Sequence, residues 1–94
     1  MGDNGAVEKN LTIENKYGLH ARPATQFVET ASRFNCEVLL LKEGEEVNGK
    51  SIMGLMMLGA EKGTRLTLRC FGAEDAEECL ANLARLVESK FGEE

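Results

Sequence analysis

The sequence predicts a small α+β domain in which one antiparallel β-sheet is covered on one face by helices. Apolar residues alternate along some segments and recur at helical spacing along others, and these segments follow the order βαββαβα. The chain has 94 residues, of which 43% are hydrophobic, so it can fill one modest core. A single sheet with helices on one face satisfies this order with one core.

The first two elements are a strand and a helix. Leucine and isoleucine alternate with polar residues over 7–14, which predicts a strand, and residues 15–18 predict a turn. Apolar residues then recur at helical spacing as far as Phe34. Pro23 lacks an N–H and fits only the first turn of this helix, so His20 lies at or just before the helix N-terminus.

The middle of the chain predicts a hairpin and a short helix. Residues 36–42 contain a run of apolar side chains typical of a buried strand. Residues 43–45 predict a tight turn into a short strand near Val47. Ser51 has the hydroxyl typical of an N-cap and begins a short apolar helix that Gly59 ends.

The last two elements have the clearest patterns. Residues 64–71 alternate strictly, which predicts a strand with Leu66, Leu68 and Cys70 on one face. A helix begins at Asp75 within an acidic first turn, has Lys90 in its last turn and is followed by Gly92. Its apolar stripe consists of Ala76, Leu80, Leu83, Val87 and Phe91.

Composition excludes several classes of function. The formal net charge of −5 argues against general nucleic-acid binding, which normally requires a basic face. No apolar run approaches the roughly 20 residues of a membrane span, and the first residues lack the basic-then-apolar pattern of a secretory signal. We expect a cytoplasmic protein that neither binds nucleic acid nor inserts into a membrane, with a flexible tail at 1–6 and one domain at 7–94.

Residues 18–24, Gly-Leu-His-Ala-Arg-Pro-Ala, contain the single histidine. A helix N-terminus offers unpaired amides and a positive dipole end to an anion. An imidazole is partly unprotonated near neutral pH and can attack phosphorus, while a guanidinium binds phosphate in a bidentate manner. The stretch therefore favours a phosphoryl site in which His20 is the acceptor and Arg22 stabilises the phosphate. The alternative is a surface or cap histidine with no chemistry.

Residues 44–51 match the nucleotide-binding pattern G-x-x-x-x-G-K-[ST]. Glu45 and Glu46 would place two carboxylates in a loop that must hold phosphates, and like charges repel there. The following helix is only about two turns long, and the chain is too short for the parallel sheet of such a fold. We therefore expect no nucleotide site.

The helix after Ser51 has no polar face. Leu55 and Leu58 can face the sheet, and the other apolar side chains would then be exposed together. These are Ile52, Met53, Met56 and Met57. Such a patch usually marks a partner site, and methionine suits surfaces that meet several partners. The alternative is a helix that is buried on all sides.

Three cysteines, Cys36, Cys70 and Cys79, are an odd number with no C-x-x-C pair. We expect small, reduced residues in the core or at its boundary, and neither a metal site nor a cofactor.

The chain resembles the HPr family of phosphocarrier proteins of the bacterial phosphoenolpyruvate-dependent sugar phosphotransferase system. Residues 18–24 are similar to the family's active-site signature, and residues 50–54, Lys-Ser-Ile-Met-Gly, are similar to its regulatory serine signature. The similarity runs from about residue 7 to residue 91. The resemblance implies an open-faced β-sandwich with a four-stranded antiparallel sheet and three helices on one face.

The resemblance also implies roles for particular residues. His20 would accept a phosphoryl group on Nδ1 from phosphorylated Enzyme I and pass it to the histidine of a sugar-specific IIA domain, and Arg22 would neutralise the phosphate. Ser51 would be the target of a regulatory kinase. The partner-facing surface would consist of Thr25, Ile52, Met53 and Met56. Such a protein is a carrier rather than an enzyme and uses no cofactor. Its implied partners are Enzyme I, IIA components, a serine kinase/phosphorylase and transcriptional regulators.

Two alternatives remain. Residues 37–40 and the acidic C-terminus resemble the nitrogen-type paralogues of this family, which implies a regulatory interaction protein outside sugar uptake. A second alternative is a regulatory module that acts through Ser51 and the methionine-rich helix, with His20 secondary.

Overall fold

The computed structural model describes residues 5–93, and within this range the elements follow the predicted order. The strands are β1 (Val7–Thr12), β2 (Glu37–Lys42), β3 (Glu45–Asn48) and β4 (Arg65–Phe71). The helices are α1 (Ala21–Ala31), α2 (Ile52–Met57) and α3 (Ala76–Glu88), followed by a 3-10 turn at Lys90–Gly92. The tail predicted at 1–6 falls mainly on residues 1–4, outside the described residues. The single domain at 7–94 stays a prediction.

The four strands form one antiparallel sheet in the order β1-β4-β2-β3. Strand β4 is central, and its alternating residues Leu66, Leu68 and Cys70 are buried against the helices, as predicted. The core occupies this covered face, while the other face of the sheet is only partly shielded. The predicted α+β class, an open antiparallel sheet with three helices, is confirmed.

Strand β2 differs from the buried strand that the sequence predicted. Val38 and Leu40 are buried at 1% exposure, whereas Leu39 and Leu41 are only half-buried. The prediction was wrong because helices cover one face of the sheet, so alternate residues of even a wholly apolar run point to the open face.

Strand β1 and helix α1 both end earlier than predicted. The strand ends at Thr12, although the Ile13 amide still donates to the Thr64 carbonyl at 2.9 Å. The helix ends at Ala31, and tighter turns continue to Phe34, whose amide donates to the Ala31 carbonyl at 3.1 Å. These turns preserve the apolar spacing that suggested a longer helix.

Helix α3 ends at Glu88, two residues before Lys90, which the sequence predicted to lie in its last turn. Lys90 and Phe91 have φ values of 59° and 57°, and a right-handed helix cannot continue through such residues. The buried Phe91 side chain anchors this bend, which directs the next residues back towards the start of α1. None of the helices described between residues 5 and 93 is long and apolar enough to cross a membrane.

Asp75 precedes α3, as predicted, but its carboxylate does not cap that helix. Its two oxygens accept hydrogen bonds from the amides of Asn35, at 2.7 Å, and Cys36, at 3.1 Å. Asp75 thereby fastens the turn between α1 and β2 to the beginning of α3. Of the predicted stripe, Leu80 is only half-buried; the buried residues of α3 are Ala76, Cys79, Leu83, Ala84 and Val87.

Candidate functional site

A tight loop places His20 at the start of α1. Gly18 has φ +70°, and a Cβ there would lie 2.3 Å from the Ala60 carbonyl oxygen, so the loop requires glycine. The amide of Leu19 donates to the same carbonyl at 2.9 Å. These contacts hold the loop against the segment between α2 and β4 and fix where the imidazole emerges.

His20 is the N-cap residue of α1, in agreement with the sequence prediction, and Pro23 is buried in the first turn. The first amides of a helix have no intrahelical acceptor, and the His20 side chain does not cap them. The amides of Ala21 and Arg22 are therefore available to an anion beside the imidazole.

The imidazole of His20 binds a carboxylate from the far end of the chain. Its Nε2 lies 3.0 Å from Oε2 of Glu93. The other oxygen of Glu93, Oε1, accepts a hydrogen bond from Nδ2 of Asn15 at 3.0 Å. The same Nδ2 donates to the Gly18 carbonyl at 2.8 Å. The buried Asn15 thus positions both the loop and the carboxylate that contacts His20.

This contact determines the chemistry available at each ring nitrogen. An ionised carboxylate only accepts hydrogen bonds, so Nε2 of His20 carries the proton in its contact with Glu93. A neutral imidazole protonated on Nε2 has its lone pair on Nδ1. In that tautomer the lone pair of Nδ1 belongs to the N-cap residue of a helix whose first amides can bind an anion.

His20 and Arg22 share an open depression of about 400 Å³. It is lined by Lys16, Tyr17, His20, Arg22, Gly92 and Glu93. The Arg22 side chain is exposed and has no ion-pair partner among residues 5–93, so it can bind an incoming anion. The Tyr17 ring stands edge-on to the imidazole, with ring centroids 6.1 Å apart, and the Lys16 Nζ lies 5.3 Å from the tyrosine ring centroid.

Four side chains of this site were absent from the sequence prediction, namely those of Asn15, Lys16, Tyr17 and Glu93. Lys16 and Tyr17 directly precede Gly18, so their closeness to the histidine along the chain could have suggested them. Glu93 is 73 residues from His20, and an acidic residue in an acidic C-terminus gives no sign of such a contact.

Thr25 lies in α1, one turn after the imidazole. It is half-buried, and its hydroxyl donates to the Ala21 carbonyl at 2.8 Å. The hydroxyl is therefore already satisfied within the helix, and the methyl group remains to contact a partner.

Ser51 is the N-cap of α2, as predicted, because its Oγ accepts a hydrogen bond from the Gly54 amide at 3.0 Å. Leu55 and Leu58 are buried against the sheet. The remaining apolar residues are exposed together, which confirms that prediction and contradicts a helix buried on all sides. This α2 patch consists of Ile52 (39% exposed), Met53 (71%), Met56 (45%) and Met57 (75%). Helix α2 packs against α1, the helix that His20 begins.

The nucleotide-loop pattern at 44–51 does not form a phosphate-binding loop. Glu43 and Gly44 have positive φ values of 50° and 84° and make a two-residue hairpin turn. The next residues form β3, which pairs with β2 along its whole length. The amides of a paired strand cannot surround a phosphate, so this segment does not adopt the loop that the pattern requires.

The comparisons with known proteins all identify one protein family. The family model described as "PTS HPr component phosphorylation site" matches residues 7–89. The chain is similar to the phosphocarrier protein HPr of Neisseria meningitidis, with 49% identity over 87 residues that cover 93% of this chain and 97% of the relative. It is 46% identical to the HPr-like protein Crh of Bacillus subtilis, over 89% of this chain and 98% of Crh. The solved structure of HPr-C-His from Thermoanaerobacter tengcongensis has a TM-score of 0.89 and 49% identity, covering 94% of this chain and 98% of that one.

Proposed function

Because the chain belongs to the HPr family of phosphocarrier proteins of the phosphotransferase system, we propose that His20 is its phosphoryl acceptor, with phosphorylated Enzyme I as the donor in the cytoplasm. The contact between Nε2 of His20 and Oε2 of Glu93, at 3.0 Å, carries this proposal, because in the neutral imidazole it leaves the lone pair on Nδ1, and His20 directly precedes the free amides of α1. Nδ1 forms the new bond to phosphorus while the bond to the donor breaks. The proton on Nε2 stays in place throughout.

The site can stabilise the transferred group without enclosing it. Phosphoryl transfer depends mainly on positioning and on neutralising charge. The amides of Ala21 and Arg22 supply hydrogen-bond donors and the Arg22 guanidinium supplies a positive charge. Glu93 remains on the opposite nitrogen of the ring and does not compete for the phosphate. Since the depression is open, the histidine of a IIA component can reach the phosphoryl group and remove it.

The α2 patch and Thr25 are our proposed docking surface for Enzyme I and the IIA components. A carrier must bind two proteins in turn, and flexible methionines adapt to different partners. Ile52, Met53 and Met56 are exposed on the helix that packs against α1. A partner that covered them would therefore lie next to the helix that presents His20.

The first experiment is intact-mass spectrometry of the chain after incubation with phosphoenolpyruvate and Enzyme I. We expect one acid-labile phosphate on the native chain and none on His20→Ala. Arg22→Ala should be labelled more slowly, and Arg33→Ala, an exposed arginine beyond the end of α1, serves as its matched control. Labelling of His20→Ala would disprove the proposal, as would an unlabelled, well-folded native chain.

The same assay decides between the sugar branch and the nitrogen-type alternative. We propose that the chain serves sugar transport, because its serine motif resembles that branch. Sugar-type Enzyme I should then phosphorylate His20 faster than nitrogen-type Enzyme I does. The reverse preference would assign the chain to the nitrogen-type regulatory branch.

We also propose that phosphorylation of Ser51 regulates docking, with a serine kinase/phosphorylase as the modifying enzyme and transcriptional regulators among the proteins that respond. Ser51 lies directly before Ile52, and a phosphate there adds negative charge beside the α2 patch. Ser51→Asp should keep the cap and weaken the binding of Enzyme I, measured by calorimetry. Ser51→Ala should lose about 1 kcal/mol of unfolding free energy and keep its affinity. Equal affinities for Ser51→Asp and the native chain would contradict this role.

A further inference from the structure

Three elements bring the cysteines together in the core. Cys36 immediately precedes β2, Cys70 lies in β4, and Cys79 lies in the first half of α3. All three are reduced and have no exposed surface. Their sulfur atoms lie within 4.8 Å of one another. No role in phosphoryl transfer uses this cluster.

We propose that Cys36, Cys70 and Cys79 form a three-sulfur binding site for trivalent arsenic, taken up as arsenite. Thiolate ligands select soft, thiophilic ions. Trivalent arsenic is pyramidal, so three sulfurs bound to it at about 2.3 Å lie about 3.4 Å apart. The three cysteine sulfurs, which lie within 4.8 Å of one another, reach this spacing by a contraction of the cluster. Within residues 5–93, no histidine or carboxylate joins these sulfurs in the cluster.

Burial decides the charge that the bound ion must carry. Three thiolates carry three negative charges, so a monovalent or divalent metal would leave a net negative complex in the apolar core, and such a charge is costly there. A trivalent ion gives a neutral complex. The hydroxide As(OH)₃ reacts with three thiols to form As(SR)₃ and three waters. Each As–O bond is replaced by an As–S bond, each thiol proton leaves in water, and no oxidation state changes.

The same surroundings argue against zinc. Structural zinc sites are almost always four-coordinate. Glu37 and Glu78, the carboxylates next to two of these cysteines along the chain, are exposed. Asp75 lies against the Cys36 amide, and both of its oxygens already accept hydrogen bonds from the amides of Asn35 and Cys36. Recruiting it as a fourth ligand would break the link between the α1–β2 turn and α3 and would add a further negative charge.

The thiol cluster and His20 lie towards opposite ends of β1. Cys70 pairs with Val7 at the beginning of β1, whereas His20 follows the end of that strand. Arsenite binding therefore does not depend on the function proposed for His20, and it can be tested without Enzyme I.

The test uses the full chain, sodium arsenite and a phosphine reductant that contains no thiol. Native mass spectrometry should show one adduct, with the mass of one arsenic minus three hydrogens. Arsenic X-ray absorption should show three As–S bonds and no As–O bond. No adduct would overturn the proposal, and so would an adduct that keeps a hydroxyl group and uses two sulfurs. Tighter binding of Zn²⁺ than of arsenite at equal concentrations would overturn the argument that the buried sulfurs require a trivalent ion.

Single variants then assign the ligands. Cys36→Ala, Cys70→Ala and Cys79→Ala should each weaken arsenite binding at least about tenfold. Val38→Ala is the matched control, because it removes buried side-chain volume and keeps all three sulfurs. Circular dichroism identifies any variant that fails to fold, and the corresponding serine variant then replaces it. Unchanged affinity in any folded cysteine variant would remove that cysteine from the site and overturn the three-sulfur assignment.

Discussion

The imidazole of His20 has two nitrogens, and Glu93 binds one of them. The carboxylate lies 3.0 Å from Nε2 and is itself held by the side-chain amide of Asn15. In active sites of many kinds, a carboxylate that holds an imidazole selects the tautomer and the direction of the ring. In the phosphoryl transfer that we propose, that selection would leave Nδ1 as the nitrogen that attacks phosphorus.

Removing the Glu93 carboxylate should therefore slow phosphorylation of His20 without unfolding the protein. We expect Glu93→Ala to reduce the rate about tenfold, which corresponds to about 1.4 kcal/mol of transition-state stabilisation. Glu88→Ala is the matched control, because Glu88 is an exposed acidic residue of the same chain end that contacts Lys9 instead. Quench-flow measurement of phosphoryl uptake compares the variants. Equal rates for Glu93→Ala and the native chain would show that the contact is incidental.

At the scale of single residues, the sequence predicted what is local and missed what is distant. The N-cap positions of His20 and Ser51 follow from their immediate neighbours, and both are observed. The hydrogen bonds of Asp75 to Asn35 and of Glu93 to His20 join residues that are 40 and 73 positions apart. Their geometry depends on the packed fold, so no local pattern can reveal it.

At the scale of elements, the loop before α1 depends on one glycine for two separate reasons. Gly18 has a positive φ, and its Cα lies so close to the Ala60 carbonyl that a side chain would collide with it. Gly44 also has a positive φ, but open space surrounds it. Substitutions at the two positions therefore distinguish the cost of a side chain at positive φ from the cost of a steric clash.

Gly18→Ala should lower the free energy of unfolding by about 3 kcal/mol, since it incurs both costs. Gly44→Ala should lose about 1 kcal/mol, since it incurs only the first. Urea denaturation of both variants measures the difference. Similar losses in the two variants would mean that the loop moves away from Ala60 without penalty.

The residues at which helices end were harder to predict than whether a segment forms a helix or a strand. Turns that continue the apolar spacing of α1 made that helix appear to reach Phe34. The end of α3 depends on the left-handed conformation of Lys90 and Phe91, which neither residue type favours. The buried side chain of Phe91 selects that conformation through tertiary packing, and the sequence contains no local pattern for it.

At the scale of the whole molecule, the fold class was predictable because periodicity and element order leave few arrangements with one core. The sequence did not allow us to predict that the three cysteines lie together. Cys36, Cys70 and Cys79 come from a loop end, a strand and a helix, and only the strand order β1-β4-β2-β3 together with the packing of α3 makes them neighbours.

Burial of these thiols should make the protein less stable in alkaline solution. Below about pH 9 the thiols are protonated in both the folded and the unfolded chain, so their ionisation has no effect. Because burial raises the folded pKa of Cys36 from 9.0 to about 12, only the unfolded chain ionises between these values. The unfolding free energy should fall by about 1.4 kcal/mol per pH unit for each shifted thiol.

Urea denaturation from pH 8 to pH 11 checks this expectation. Cys36→Ala should show a shallower decline than the native chain, because it has lost one shifted thiol. Tyrosine and lysine also titrate in this pH range, but both proteins contain them. Their contribution therefore cancels when the two slopes of unfolding free energy against pH are subtracted. Parallel slopes would contradict the proposed effect of burial on the Cys36 thiol.

Tyr17, whose ring stands edge-on to the imidazole at 6.1 Å, gives the molecule an optical property of its own. The chain has a single tyrosine and no tryptophan, so its ultraviolet fluorescence comes almost entirely from that one ring. Any change of charge on the neighbouring imidazole alters the surroundings of the emitter. The unlabelled protein therefore carries a built-in optical probe, through which loading and unloading of His20 should be visible in real time.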